Sequence, residues 1–330
     1  MRTTRIAAMT IASLVLALAV AACGGSGSSA QNVVDEATLS GVESGKLDLS
    51  LGIDTKGSKG GHVDVGLSGP FERGNGVRGT KLDLTGTAKG TVAGKKVDFE
   101  GGLTLLGGHR AYVEFEGTDY KVDPTTYGYA SSTIGESEEV SSCREALRER
   151  KLSEFISDPV EEGTANVGGT STTKVSGDID PETVSEALTE ANEDALCAEQ
   201  MKAIPGARTS LEGFEESPGA AQGAVKDAHI TLYVGDDHIV RRLKAQVTLE
   251  PPAGQAPKGV GGAEFDVDLT LADVNQPQTI AAPKEAKPLT ALFIKLGINP
   301  IELLGVVQGG LTGGGMSALL ERLVEAGNER

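Results

Sequence analysis

Hydrophobic and polar positions alternate along the run from Lys46 to Glu116. Leu47, Leu49, Leu51 and Ile53 interleave with Lys46, Asp48, Ser50 and Asp54. Val63, Val65 and Leu67 interleave with His62, Asp64 and Ser68, and Leu82 and Leu84 repeat the pattern. Val97, Phe99, Leu103 and Leu105 follow, then Val113 and Phe115. Side chains of a strand point to opposite faces in turn, so this period of two predicts four or five strands with one apolar and one wet face. Glycine-rich stretches at Gly57 to Gly61, Gly69 to Gly79 and Gly90 to Lys96 predict the turns of an antiparallel sheet. Whatever covers the apolar face decides the function.

The same alternation returns downstream. Thr164 to Val167 and Thr173 to Ile179 predict a hairpin around Gly168-Gly169, and Ile230 to Val234 with Ile239 to Leu249 another around Gly235-Asp236-Asp237. Leu243 falls on the apolar row of that second hairpin, and so does Arg241, a cavity-rim residue or, more simply, half of a local salt bridge. Leu232 lies on the facing strand. Phe265, Val267, Leu269 and Leu271 form a last alternating strand, with Asp266 and Asp268 facing the other way. Helical spacing is shorter and rarer. It covers Gln31 to Leu39, the charged stretch from Val140 to Ile156, and a segment capped by Asp180 with Pro181 at its first position.

The N-terminus changes the picture. Arg2 and Arg5 precede an apolar run from Ile6 to Ala19, too short to span a bilayer comfortably. The run ends in Val20-Ala21-Ala22-Cys23, and a Gly/Ser stretch from Gly24 to Ser29 follows. This resembles a bacterial lipobox, which implies that Cys23 is acylated and anchors the chain to membrane. An ordinary secretory leader explains the apolar run but not small residues, cysteine and tether in that order. Two acyl chains, at roughly 0.8 kcal/mol per buried CH₂, anchor stably where one does not. The predicted organisation is a leader over 1–22, an acylated cysteine and tether over 23–30, a main domain over 31–287, and an apolar helical extension over 288–330.

Composition narrows the function classes. The 330 residues carry a net charge of −17, so nucleic acid is not an expected partner. Aromatic residues make up 4% and glycine counts 45, well above the usual ~7% for glycine, which suits a chain of strands and turns. Gly74-Asn75-Gly76-Val77-Arg78-Gly79 matches a dinucleotide fingerprint in letters, but it opens a strand where that fingerprint opens a helix. His62, His109, His229 and His238 are scattered over separate segments, no nucleophile elbow occurs, and no metal or cofactor is expected. Asp266, Asp268 and Asp273 suggest a solvated strand face before they suggest calcium. The chain does not read as an enzyme. Beyond Cys23, Cys143 and Cys197 are the remaining cysteines. In an exported protein they predict a disulfide, worth about 4 kcal/mol over so long a loop, ahead of a redox or metal pair.

A family comes into view at Ala111 to Asp123, where an aromatic strand leads into Gly117-Thr118, Tyr120 and Val122-Asp123-Pro124. Ile156-Ser157-Asp158-Pro159, Gly163 to Gly169, Thr173 to Gly177, Thr231 to Val234, Val240 to Leu243 and Ala281-Ala282-Pro283 follow in order. Over residues 31 to 285 the chain resembles the LppX/LprAFG-type mycobacterial lipoproteins. The resemblance implies an α+β fold of the LolA/LppX type, a curved antiparallel half-barrel wrapped around a few helices, with a hydrophobic cavity for acyl chains.

Two functions are carried forward. The first is a lipid-anchored carrier of a lipid or lipoglycan at the outer face of the bacterial cell membrane, with a membrane transporter as a conceivable partner. The second is a surface lipoprotein that senses or scaffolds through its acidic face or its C-terminal helices. For the carrier, the expected ligand-binding surface is the apolar sheet face: Leu47, Leu49 and Leu51, then Val63, Val65 and Leu67, then Leu82 and Leu84. It continues over Val97, Phe99 and Leu103 to Val113 and Phe115, and over Leu232, Leu243, Phe265, Val267 and Leu269. The tail departs from the family, with apolar helical segments at Leu289 to Leu296, Ile301 to Val307 and Met316 to Val324. Lys295, Glu302, Glu321 and Arg322 argue against a membrane span there.

Overall fold

The computed structural model describes residues 29–58, 60–75, 79–92, 94–128, 151–183, 225–250 and 261–297. Cys23, Cys143 and Cys197, most of the helix begun at Asp180, and the apolar segments beyond 297 lie outside the described residues. Among the described helices none is long and apolar enough to cross a membrane.

The described residues form an open sheet of twelve strands. β1 (Ser44–Lys56), β2 (Gly61–Glu72), β3 (Lys81–Val92), β4 (Lys95–Leu106), β5 (Ala111–Phe115) and β6 (Thr118–Val122) make one antiparallel meander. β7 (Ile156–Val167), β8 (Thr170–Ile179), β9 (Val225–Gly235), β10 (Val240–Leu249) and β11 (Gly262–Ala272) make a second. The two join where β11 pairs with β1, from Lys46 opposite Ala272 to Lys56 opposite Gly262. β12 (Lys287–Pro288) adds two residues parallel to β6 at the far edge. Turn chemistry fits the tight hairpins. Glu116 and Gly117, and again Gly168 and Gly169, hold positive φ between directly paired strand ends, as two-residue hairpins of right-twisted strands require.

Three expectations need correcting. Gly69 and Gly90 are not turn residues. β2 runs on to Glu72 and β3 to Val92, with both glycines inside the ladder at φ +146 and +150. Ile156 does not close a helix. Residues 140–150 of that stretch lie outside the described residues; Leu152–Phe155 (α2) is helical, and Ile156 begins β7. Arg241 does not share the row of Leu243. The ladder shifts register between Val240 and Arg242, a bulge that re-aims the extra residue.

The sheet rolls at one end. A side chain on Gly168, in the β7–β8 turn, would lie 3.1 Å from the Ala272 methyl at the end of β11. Along a flat sheet those strands stand three spacings, roughly 14 Å, apart. Helix α1 (Ser29–Glu36) packs against α2, β7 and β8. Its stripe Ala30, Val34 and, just past its end, Ala37 has the i, i+4, i+7 spacing of one helix face and is buried. The chain then bridges Thr38 to Ile239. Helix α3 (Leu289–Lys295) lies at the other flank, its Leu289 and Leu292 buried against β5 and β6.

The family-like motif near residue 120 has a structural reason. Tyr120 and Val122 point into that flank. Asp123 caps the helical turn over 124–128, accepting the Thr125 and Thr126 amides at 3.1 and 3.0 Å and the Thr126 hydroxyl at 2.6 Å. Those bonds, the Thr126 hydroxyl first, hold its carboxyl below the usual range. The turn delivers Tyr127 to the same cluster, where it meets the His109 ring edge-on.

Candidate functional site

Strand registers carry one apolar row after another across the whole sheet. One runs Val175, Leu232, Leu243, Leu269, Leu49, Leu67, Gly86, Gly101, Phe115. The next runs Ile230, Ala245, Val267, Leu51, Val65, Ala88, Phe99. The rows are continuous in chemistry but not in cover.

On β8 to β11 the rows are sealed. Val175, Leu232, Leu243, Ile230, Ala245, Phe265 and Val267 are all within 5% of full burial, in one cluster with Val34 and Ala37 of the α1 segment and with Leu152 and Phe155 of α2. On β1 to β4 they are not. Leu47, Leu49, Leu51, Val63, Leu67, Leu82, Leu84, Val97 and Phe99 are half-buried, Val65 is 36% exposed and Leu103 40%. Beyond β4 the face closes again. Ala111, Phe115, Tyr120, Val122 and Tyr127 are buried with Leu289 and Leu292, and Val113 packs beside them. The apolar face therefore forms a trough over β1 to β4, walled on one side by the α1–α2 cluster and on the other by α3.

Of the expected ligand-binding residues, the structure gathers Leu47, Leu49, Leu51, Val63, Val65, Leu67, Leu82, Leu84, Val97, Phe99 and Leu103 in the trough. Leu269 stands half-buried at its wall, where Leu49 and Leu51 also pack against the α1–α2 cluster. It puts Leu232, Leu243, Phe265 and Val267 in the sealed cluster, and Phe115 and Val113 in the α3 cluster. All of these alternate with polar residues alike, so the pattern does not distinguish a covered strand from an uncovered one.

Sequence reasoning missed the trough's floor and ends. Gly86 and Gly101 face each other across β3 and β4. A Cβ on Gly86 would have no neighbour closer than 3.8 Å, whereas one on Gly101 would stand 3.0 Å from the Phe99 ring and from the Glu114 carbonyl. Gly101 lets Phe99 lie flat and reach Phe115, ring centre to ring centre 6.3 Å. The inward positions run Gly45 to Thr55 on β1, Gly61 to Phe71 on β2, Leu82 to Gly90 on β3 and Lys95 to Leu105 on β4. In that set Lys95 alone is ionisable, and Thr55 is the other polar side chain. Their signal was the parity of the alternation, extended to the strand ends.

The ionisable groups crowd the opposite face and are largely matched there. Arg242 makes a two-pronged bond to Asp268 at 2.8 and 2.5 Å, with Lys244 3.6 Å away and the Tyr233 ring beneath the guanidinium. The Arg242 bond dominates in holding the Asp268 carboxyl below its usual range. His62 sits between Asp54 and Asp64 at 3.0 and 2.8 Å, and His229 between Asp178 and Asp227 in the same way. Asp266 takes the Gln246 amide and Asp273 the Lys46 ammonium. Among the described residues no group of three or more His, Cys, Asp or Glu side chains is arranged to hold a metal. Arg241 is buried with its charge met locally, by Asp237 at 2.6 Å and the Ile239 carbonyl at 3.3 Å. The salt-bridge alternative for this residue is what the structure holds.

No family model and no curated protein matches the chain. Among solved structures it is similar to LprF from Mycobacterium bovis, at 15% identity and a TM-score of 0.35, over 79% of this chain and 99% of that one. It is also similar to the lipoprotein LppX from Mycobacterium tuberculosis, at 14% identity and a TM-score of 0.31, over 78% and 100%. A LolA superfamily protein from Nitrosomonas europaea follows at 7% identity and a TM-score of 0.19, over 74% and 94%.

Proposed function

We propose that the chain is an exported, lipid-anchored carrier that takes up an acyl lipid or lipoglycan in the β1–β4 trough at the outer face of the cell membrane. One observation carries this. A run of aliphatic side chains on four adjacent strands, without an acid anywhere among the inward positions named above, stays half-exposed between two clusters that the protein seals with its own residues. Water against such a face is costly, and a guest hydrocarbon that displaces it gains about 25 cal/mol per Å² of apolar surface removed. The lipobox-like Cys23 supplies the anchor in this proposal, and the acidic character of the chain keeps its body off anionic lipid surfaces.

The chemistry of the trough favours binding over catalysis, because the ionisable groups stand on the other side of the sheet. Native mass spectrometry of the unacylated chain, purified from a lipid-rich host, tests the proposal. Co-purifying acyl lipid, lost when Leu51 and Leu67 are both replaced by Asp, is the expected result. Protein that is clean of lipid and ignores added lipid leaves a scaffold or sensor in place of a carrier.

A further inference from the structure

The trough has a direction. At one end its inward side chains are Phe71, Leu82 and Leu105. Phe71 packs into a closed apolar cluster with Val42, Ile239 and Leu271, and Leu105 into the α3 cluster. At the other end the last register layer holds Thr55, opposite Gly61, and Lys95, opposite Val92. Both polar side chains of the inward set thus fall in one terminal layer, at the β1–β2 and β3–β4 turns. The strand between the two ends, Gly45 to Thr55, covers roughly 33 Å at ~3.3 Å per residue, close to the ~30 Å of a whole bilayer hydrocarbon core. A fully extended acyl chain fits along it with its polar terminus in the Thr55–Lys95 layer.

Lys95 differs from three other lysines in one further respect. Lys56, Lys96 and Lys226 stand near the same end of the sheet and each holds a carboxylate: Glu264, Asp98 and Glu250. Lys95 holds none among the described residues, in a chain with 47 acids to 30 bases. Its ammonium is exposed at the mouth of an otherwise uncharged face.

We infer that the guest is a lipid with an anionic head, seated tail-first against the Phe71–Leu105 end, and that Lys95 sets this orientation and preference by meeting the head group. This rests on the carrier proposal above. Two probes with the same alkyl chain separate the two ideas: palmitate, with a carboxylate head, and 1-hexadecanol, with none. They are titrated against the full chain carrying Cys23→Ala, so that no covalent acyl group competes. Palmitate is expected to bind roughly three- to fivefold more tightly than 1-hexadecanol, the upper part of the range of an exposed ion pair. Lys95→Met should abolish that margin, Lys95→Arg should keep it, and Lys96→Met should leave it alone. Added salt should shrink the margin of the unaltered chain. If Lys95→Met leaves palmitate binding unchanged, or weakens both probes alike, the head-group role is overturned while the carrier stands. If neither probe binds, the carrier proposal itself fails and takes this one with it.

Discussion

The β8–β11 half of the sheet and the β1–β4 half are built to the same rule and end in different states. Both alternate apolar and polar residues, both share uninterrupted register across the β1–β11 seam, and both turn their charges to the same wet face. Leu232 and Leu243 are 1% and 2% exposed, while Leu103 is 40% exposed. The difference comes from what lies above. Val34 of α1, with Leu152 and Phe155 of α2, is laid on the first half, and among the described residues only flanking clusters reach the second. An apolar strand face is thus a capacity to bury something. A local helix uses that capacity in one half, and in our proposal a lipid uses it in the other.

The sharpest way to break this comparison is to truncate a large side chain in each half and measure chemical denaturation. Phe265→Ala removes a ring that is 2% exposed and should cost about 3–5 kcal/mol, the usual figure for a buried aromatic cavity. Leu103→Ala, at 40% exposure, should cost about 1 kcal/mol. Equal losses would mean that both halves are sealed alike.

Enlarging a side chain sharpens it from the other direction. Gly101→Leu drives a Cβ into the Phe99 ring and the Glu114 carbonyl at 3.0 Å, and should destabilise the fold by about 1–3 kcal/mol. In Gly86→Leu the new Cβ meets nothing nearer than 3.8 Å. It should leave the unfolding midpoint almost unmoved while lowering acyl-lipid uptake in the mass spectrum. A stable Gly86→Leu chain that still takes up lipid normally would place the guest elsewhere on the protein.

The two halves also differ in how they treat a cation. Arg241 in the sealed half is 7% exposed and tied to Asp237. Burial is the largest single influence on the Asp237 carboxylate and works against its charge, yet the Arg241 bond, the Ile239 amide and the Arg241 charge together hold that group below its usual range. Asp237→Ala strands the guanidinium with one carbonyl partner and should cost about 1–2 kcal/mol, read as a lower denaturation midpoint. Lys95→Met in the open half, with no partner to strand among the described residues, should leave that midpoint where it is.

Much of this architecture was legible in the residues. The alternation marked the cores of β1 to β5 and β8 to β11 and assigned the apolar face correctly, because a period of two is local information. Pairing between β1 and β11 was not legible, since nothing near Leu47 specifies a partner more than two hundred positions away. Gly69 and Gly90 read as turns because positive φ and missing side chains look the same in a turn and inside a ladder. Arg241 read as part of the Leu243 row because a bulge is invisible to counting by twos. The division of the apolar face into sealed and open halves depends on where α1 lands, and the helical spacing over Gln31 to Leu39 says only that Val33, Val34, Ala37 and Leu39 want cover.

The smallest effect lies on the wet face of the open half. The Asp64 and Asp54 carboxylates, bonded to the two ring nitrogens of His62, raise its pKa above the ordinary 6.5. The groups facing this trio are Thr91 opposite His62, Lys89 opposite Asp64 and Glu264 opposite Asp54. A raised folded-state pKa means that folding takes up a proton near neutrality. The stability it contributes is full below about pH 6.5 and fades as pH rises through the folded value. Because all three side chains are exposed, the effect belongs in an NMR titration of the His62 ring and not in a denaturation curve. The midpoint should lie above 6.5 in the unaltered chain and fall on Asp64→Asn, with a smaller fall on Asp54→Asn. The same titration repeated with palmitate bound probes the comparison of the two faces. A guest in the trough is separated from His62 by the sheet itself and should leave the midpoint in place. A midpoint that moves with palmitate would put the lipid on the charged side and undo the assignment of the apolar side as the binding surface.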